Sequence, residues 1–514
     1  MDPGAVTGYE ASNGAHEPQL VVASNRLPIV LRRGEGGAIA VEAGQGGLAR
    51  ALAPLIARSG GTWIGWPGAA CEELAPAAVD RALGAWPGLR GISLTREEIS
   101  GYYAGFANSV LWPVFHGLAA RGDFNAGNWA LYQQVNRRFA EAIARVVGAG
   151  PAAVWIHDYH LLHVGAGLRE FGVGARLGFF LHTPFPALDD LVKLPWRAEL
   201  LRALLAHDVI GFQSARDLRR FLSCVEQLAS GARIARRGAC EATIRSSSRR
   251  AAVAGVFPIG IDPTPFQRAR NEARVAAEAR AIRASVGERT LLLGVDRLDY
   301  TKGLCERLGA FERALERFPE LRGRIVLVQV VVPSREQVPA YARLKREVER
   351  EGGRISGRFA TTEWEPVRYL YRALSPEQLL AAYREADIAL VTPLADGMNL
   401  VAKEYCAAKL DRAGVLILSE MAGAASQLRG GAVLVNPYDE GAVAEAIGAA
   451  CAMPETERRA RMRKLCETVS RSDVHWWGKA FVSSLWRDEP VPVAAAEVLP
   501  TVELSVRARS QPPK

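Results

Sequence analysis

The chain has 514 residues, 49% hydrophobic and 23% charged, which is the composition of a globular protein with enough length for two or three cores. No apolar run reaches the ~18 residues needed to cross a bilayer, and the opening MDPGAVTGYEASNGAHEPQ lacks the basic and apolar regions of a signal peptide, so a cytoplasmic location is expected. The formal net charge is +9, but the arginines lie mostly on polar helix faces, as in Glu306-Arg307, Glu312-Arg313 and Arg458-Arg459, with no basic run interleaved with aromatics. That pattern argues against nucleic acid as a partner and leaves room for a basic pocket that takes small phosphorylated molecules. The seven cysteines are scattered and never form C-x-x-C, so reduced thiols are expected rather than a zinc site.

Residues 1–18 read as a disordered tail. Leu20–Ser24 is a buried strand with Asn25 and Arg26 at its carboxyl end, and LPIVLRR-GEGG-AIAVEA reads as a hairpin. Gln45-Gly46-Gly47 opens a helix, and glycines there let backbone amides approach a ligand closely. Strands are predicted at Thr62–Trp66 and Gly91–Leu94. The block GYYAGFANSVLWPVFH follows, then an amphipathic helix with Tyr132, Val135, Phe139 and Ile143 on one stripe. GAGPAA at 148–153 fits G-x-G-x-x-A, but a helix precedes it and a strand follows, which reverses the order of a dinucleotide fingerprint; it reads as a helix cap and turn.

Strand and helix then alternate: strand 152–159, helix 160–171, strand 176–182, helix 188–206, strand 208–213 and helix 215–229. The Arg/Ser/Gly-rich stretch 230–250 reads as a mobile or hairpin loop. Strand 252–257 leads into Pro258-Ile259-Gly260-Ile261-Asp262-Pro263, an expected linker. A second alternation begins at Thr290 and includes the strands TLLLGVDRL, RIVLVQVVV, 387–392, VLILSE and AVLVNP. Ser375-Pro376-Glu377-Gln378 is a capping box. Helical residues run to about 486, and the Pro/Ala/Val-rich tail reads as disordered. Two such alternations predict an α/β chain of two doubly wound domains with a cleft between them.

The stretch TPLADGMNLVAKEYCAAK at 392–409 is strand end, loop and helix start, where open α/β sheets bind ligands. The amides of Leu400 and Val401 would face an anion. Asp396 suits sugar hydroxyls, and Glu404 suits the two hydroxyls of a ribose. The alternative on this stretch alone is an ordinary loop whose Asp caps a helix and whose Glu is solvated. Arg297 and Lys302 close a strand and open a helix, and together could neutralise a diphosphate; the alternative is an interdomain ion pair. The chain has no D-x-D, so a metal held by that motif is not expected. His157, His160 and His163 span a strand end and a helix start, where side chains diverge, so they do not suggest a metal site. Asp158 reads as a hydroxyl-binding or proton-accepting carboxylate, and His182 as a strand-end histidine that could equally be structural.

In order along the chain stand SNR at 24–26, QGGL at 45–48, GYYAGFANSVLWPVFH, WIHDYHLL at 155–162 and GFFLHTPFP at 178–186. They are followed by GFQS at 211–214, PIGID at 258–262, DRLDYTKGL at 296–304, PSR at 333–335 and DGMNLVAKE at 396–404. This series resembles the trehalose-6-phosphate synthase family from Leu20 to about Trp486. The resemblance implies the GT-B fold, two Rossmann-like domains facing across a cleft. An acceptor domain would occupy 19–260, a nucleotide-sugar domain 261–470, and residues 471–486 would cross back, with tails at 1–18 and 487–514. It implies transfer of glucose from a nucleoside diphosphate, usually UDP, to glucose 6-phosphate with retention. Arg26, Tyr103 and Arg335 would hold the acceptor phosphate, Trp112 would line the acceptor side, and Asp158 would bind acceptor hydroxyls. His182 would contact the donor glucose. Gly47, Arg297, Lys302 and the Leu400 amide would hold the diphosphate, with Asn399 and Val401 in the donor-binding set. Asp396 would bind donor-sugar hydroxyls rather than act as a nucleophile, and Glu404 would take the ribose. The implied partners are small-molecule substrates, with no cofactor, no metal and no membrane; a homo-oligomer is compatible. Same-fold transfer to another phosphorylated acceptor such as glycerol 3-phosphate, and a silent sugar-phosphate sensor, are the alternatives. Ser356 and Ala360 depart from the family pattern, which usually has Asn and Gly there and bears on the nucleotide base.

Overall fold

The computed structural model describes residues 19–486 apart from 35–37, 45–46, 149–150, 247–250, 270–271, 336–337 and 410–412. Both expected tails, the hairpin tip, Gln45 and Gly46 lie outside the described residues. The first half contributes β1 (Gln19–Arg26), the hairpin β2 (Ile29–Arg33) and β3 (Ile39–Ala43), β4 (Thr62–Trp66), β5 (Leu89–Gly91), β6 (Ala152–His157), β7 (Arg176–Phe180) and β8 (Val209–Phe212). β9 (Arg233–Arg237), β10 (Glu241–Arg245) and β11 (Ala251–Val256) follow. Apart from β2 and β3 these form one sheet in the order β5-β4-β1-β6-β7-β8-β11-β10-β9. It is parallel up to β11, and β9 and β10 add an antiparallel edge.

The second half gives β12 (Thr290–Arg297), β13 (Ile325–Val332), β14 (Val367–Leu370), β15 (Ile388–Val391), β16 (Val415–Ser419) and β17 (Val433–Val435). They form a parallel sheet in the order β14-β13-β12-β15-β16-β17. In each sheet the order reverses beside an early strand, at β1 and at β12, and the carboxyl ends of those strands carry Arg26 and Arg297.

Alternate residues of β1 bury on opposite faces: Val21 and Ala23 join a core with Ile64 and Ile156, whereas Val22 joins Trp63, Trp155 and Phe180. The second face is covered by the helix Val474–Leu485, whose Phe481 stacks on Trp155 at 4.7 Å between ring centroids. Gly178 and Gly211 leave room for that ring; a Cβ on either would lie 2.7 Å from Phe481. The C-terminal helix therefore packs on β7 and β8 of the first sheet.

Several sequence expectations shift. The single helix expected at 188–206 is two, Leu188–Leu191 and Arg197–Leu204, because Pro195 cannot continue the backbone ladder. The strand expected at 91–94 ends at Gly91, and the helix expected from 160 begins as a 3₁₀ turn, Tyr159–Leu161, before Val164–Glu170. The stretch 230–250 contains the β9–β10 hairpin. The helices Ala273–Val286 and Pro339–Phe359 and the strand β14 were not anticipated; Ser356 sits in the last turn of Pro339–Phe359, and its carbonyl accepts the Ala360 N–H at 2.8 Å. The GYYAGFANSVL block forms a π-helix, Ile99–Leu111. Asn108 and Ser109 side chains reinforce its wide turn by donating to the carbonyls of Tyr103 and Ala104, at 2.8 Å each. Among the described residues no helix is long and apolar enough to cross a membrane.

Candidate active site

Three non-glycine residues have positive φ among the described residues: Asp158 at 75°, Arg335 at 50° and Asn399 at 73°. An L side chain is held there only where surrounding contacts impose it, and such strain collects at functional sites. All three are candidate site residues: Asp158 and Arg335 lie just beyond the carboxyl ends of β6 and β13, and Asn399 caps the helix that follows β15.

On one side of the cleft lies a pocket of cations and rings. The Arg26 guanidinium sits 3.8 Å from the Trp66 ring centroid and 5.6 Å from that of Tyr103. Tyr103 projects from the π-helix and stacks at 5.8 Å on His160. Arg335 arrives from the second sheet and lies 4.1 Å from the Trp112 ring centroid. Its Nη1 donates to Asp299 Oδ2 at 3.2 Å, and its Nη2 donates to the Tyr159 hydroxyl at 3.3 Å. Burial would raise the Tyr103 phenol, but the fields of Arg335, Arg26 and Arg297 outweigh it and bring the group below its ordinary value. Three guanidiniums thus converge on one phenol, a setting for a phosphate dianion. Arg26, Tyr103, Trp112 and Arg335, far apart in sequence, meet here.

Asp299 joins the two sides. It accepts from Arg335, from Thr301 N at 3.0 Å and from Trp112 Nε1 at 3.4 Å. Burial opposes its ionisation, but Arg335, Lys302 and Arg297 hold it below the usual carboxylate range. Sequence reasoning singled out its neighbours Arg297 and Lys302, missed Asp299 and Tyr159, and weighed His160 only as a metal ligand. Their position inside DRLDYTKGL and WIHDYHLL was the available signal.

On the other side lies a helix start. Asn399 caps the helix Leu400–Ala408, its side-chain oxygen accepting from Ala402 N at 3.4 Å. The amides of Leu400 and Val401 precede the first intrahelical bond, at the positive end of the helix dipole. Gly47, at the start of its own helix, faces Leu400 so closely that a Cβ would lie 2.8 Å from Leu400 Cδ1. Lys302 Nζ pairs with Asp396 Oδ2 at 2.6 Å, and Asn399 Nδ2 donates to the same oxygen at 3.1 Å. Burial opposes the Asp396 charge, but the Lys302 cation more than compensates and holds the carboxyl below its ordinary value. Lys302 is therefore shared between an internal carboxylate and the cleft, whereas the Arg297 side chain is exposed, 6.0 Å from the Trp112 ring centroid. Glu404 accepts from the Tyr383 hydroxyl at 2.9 Å, and burial raises its carboxyl. His116, which the sequence did not single out, is buried against Trp112 at 4.2 Å between centroids, and burial lowers its ring to about 4.

Asp158 and His182 lie between the two sides. Burial raises the Asp158 carboxyl to about 6 against the pull of backbone N–H groups, including His182 N, which donates to Oδ1 at 3.2 Å. Burial lowers His182 to about 3, so its ring is neutral. Both His182 ring nitrogens meet protein atoms: Nε2 lies 3.0 Å from His157 Nδ1, and Nδ1 lies 3.4 Å from Gln213 Nε2. The His182 carbonyl lies against Gly397, where any Cβ would collide with it.

Two doubly wound sheets facing across a cleft, with strained residues beyond their strand ends, define a glycosyltransferase of the GT-B class. The sequence profile of Glycosyltransferase family 20 matches residues 18–487, and the chain belongs to that family. It is 40% identical over 499 residues to a trehalose-6-phosphate synthase of Mycolicibacterium paratuberculosis, covering 95% of this chain and 99% of that protein. It is 41% identical over 486 residues to a bifunctional trehalose-6-phosphate synthase/phosphatase of Thermoproteus tenax, covering 91% of this chain but only 63% of that protein's length. The crystal structure of an α,α-trehalose-phosphate synthase (UDP-forming) from Burkholderia xenovorans in complex with glucose-6-phosphate matches with a TM-score of 0.81 and 35% identity, covering 91% of this chain and 100% of that one.

Proposed function

We propose that the chain transfers glucose from UDP-glucose to glucose 6-phosphate with retention, releasing UDP and giving trehalose 6-phosphate. The observation that carries this reading is the meeting, across one cleft, of a pocket lined by the Arg26 and Arg335 guanidiniums with an anion-binding helix start. The two faces suit two different phosphorylated substrates. Arg26, Tyr103 and Arg335 hold the acceptor phosphate, and Trp112 lines the acceptor ring. Asp158 orients the acceptor hydroxyls. Arg297, Lys302, Gly47 and the Leu400 and Val401 amides hold the diphosphate. Asp396 binds donor-sugar hydroxyls, the His182 carbonyl faces the donor glucose, and Glu404 takes the ribose.

As the bond to UDP breaks, negative charge grows on the leaving phosphate. Fixed cations and helix amides stabilise that charge without reorganising, so the reaction runs on protein groups with no cofactor. Donor binding also competes with Asp396 for Lys302, which ties diphosphate recognition to the freeing of Asp396 for the sugar. The free cysteines among the described residues fit a reducing cytoplasm.

The test is turnover with UDP-, GDP- and ADP-glucose against glucose 6-phosphate, with the product linkage read by NMR. An α,α-1,1-linked sugar phosphate formed fastest from UDP-glucose supports the reading. Faster turnover of glycerol 3-phosphate, or no turnover of any pair, overturns it.

A further inference from the structure

Lys403 is almost wholly buried, at 1% exposure, beside the ribose candidate Glu404, and the chemistry above gives it no task. Its Nζ donates to Ile259 O and to Gln427 Oε1, at 2.6 Å each. Both partners are neutral. A buried lysine without a carboxylate costs stability that an apolar residue of the same volume would not. Burial lowers the group to about 7, and either the ammonium or the amine can make these two donations.

Ile259 lies in the linker and is held from its other side as well. Its N–H donates to Gln213 Oε1 at 2.9 Å. Only the amide oxygen can accept there, so Gln213 Nε2 must face His182 Nδ1. Nδ1 then accepts, and the single ring proton of neutral His182 sits on Nε2 and is donated to His157 Nδ1. His157 in turn carries its proton on Nε2, a buried atom with no hydrogen-bond partner among the described residues. Burial also keeps His157 neutral. One backbone N–H in the linker thereby fixes an amide and two imidazole tautomers.

Both arms from Ile259 end on the donor side. The Gln213 arm fixes His182, whose carbonyl bears on Gly397 next to Asp396. The Lys403 arm fixes the helix that carries the Leu400 amide and Glu404. We propose that Gln213 and Lys403 are positioning residues that hold the donor site in register with the interdomain linker through the two sides of Ile259. The donor assignment rests on the function proposed above, whereas the relay itself stands on its own geometry.

The experiment compares full-length parent and Gln213→Glu protein carrying ¹⁵N-labelled histidine. Long-range ¹H–¹⁵N spectra are assigned with His157→Gln and His182→Gln. In the parent both His182 and His157 should be Nε2–H tautomers. Above the pH at which the new carboxyl ionises, the carboxylate at 213 still accepts from Ile259 N–H but cannot donate to His182, so both rings should switch together to Nδ1–H. A switch of one ring alone, or of neither, overturns the relay, whatever the enzyme's product. In the second arm, Lys403→Met should raise the donor KM about tenfold, the scale of one buried hydrogen bond, and leave the glucose 6-phosphate KM within about twofold. Equal increases in both KM values, or a lowered melting temperature with unchanged kinetics, would show that Lys403 only supports the fold.

Discussion

The two faces of the cleft are built in different ways. On the function proposed above, one part of the donor face is local: the loop and helix after β15 supply Asp396, Asn399, the Leu400 amide and Glu404 within nine residues. The acceptor face is assembled from the end of β1, a π-helix, the end of β6 and the end of β13, which bring Arg26, Tyr103, Tyr159 and Arg335 together. At its helix start the donor face uses backbone amides and a dipole, which any sequence that folds there provides, while Gly47, Arg297 and Lys302 join it from other segments. The acceptor face relies on side chains whose charges support one another through Asp299. A substitution within the donor helix, such as at Glu404, should therefore act on one contact, whereas one on the acceptor face should disturb a network.

The largest effect is expected at the Lys302–Asp396 pair, where two donor-side groups hold one another. Asp396→Asn removes the partner of Lys302 and, on the function proposed above, a sugar-hydroxyl acceptor at once. Turnover should fall at least about 100-fold through lost positioning, with the far-ultraviolet circular dichroism unchanged. Glu404→Gln tests the local character of the donor face. It should raise the donor KM about tenfold and leave the glucose 6-phosphate KM unmoved, since one charge-assisted hydrogen bond is lost. An equal change in both would mean that the two faces are not separately built.

Asp158→Asn should lower turnover and raise stability. The folded carboxyl titrates near 6 and an unfolded one near 3.9, so the native state binds the proton more tightly. Stability should fall as pH rises from about 4 to about 6, and the full cost of the buried charge is present above that. The Asn variant, of nearly the same shape and without the buried charge, should be more stable than the parent above pH ~6, by up to about 3 kcal/mol. That gain should vanish near pH ~4. Denaturant melts at the two pH values check it. The smallest effect expected is none: exhaustive chelation should leave kcat unchanged, because the proposed function gives the leaving-group charge to Arg297, Lys302 and the helix amides. An absolute need for Mg²⁺ or Mn²⁺ in the chemical step would remove that role from them.

The same contrast explains what could be read from the sequence. Strand–helix alternation exposed both sheets and the donor loop, because local periodicity and turn chemistry determine them. Arg26, Tyr103, Trp112 and Arg335 came from the family resemblance, since no local pattern says that four distant segments meet. Asp299 escaped notice because its partners lie 36 and 187 positions away, at Arg335 and Trp112. The π-helix that carries Tyr103 escaped too, as its i→i+5 bonding has no distinct hydrophobic period. The break at Pro195 was legible, and the 188–206 expectation passed over it.

The central claim is that Arg335 belongs to a phosphate pocket and not merely to an ion pair with Asp299. It is tested most directly by the ratio of kcat/KM for glucose 6-phosphate to that for free glucose, measured with UDP-glucose on the parent and on Arg335→Ala. The ratio should be large in the parent and should fall at least about tenfold in the variant, because buried donors left without phosphate cost about 1–3 kcal/mol per group. An unchanged ratio would contradict the assignment of Arg335 to the acceptor phosphate.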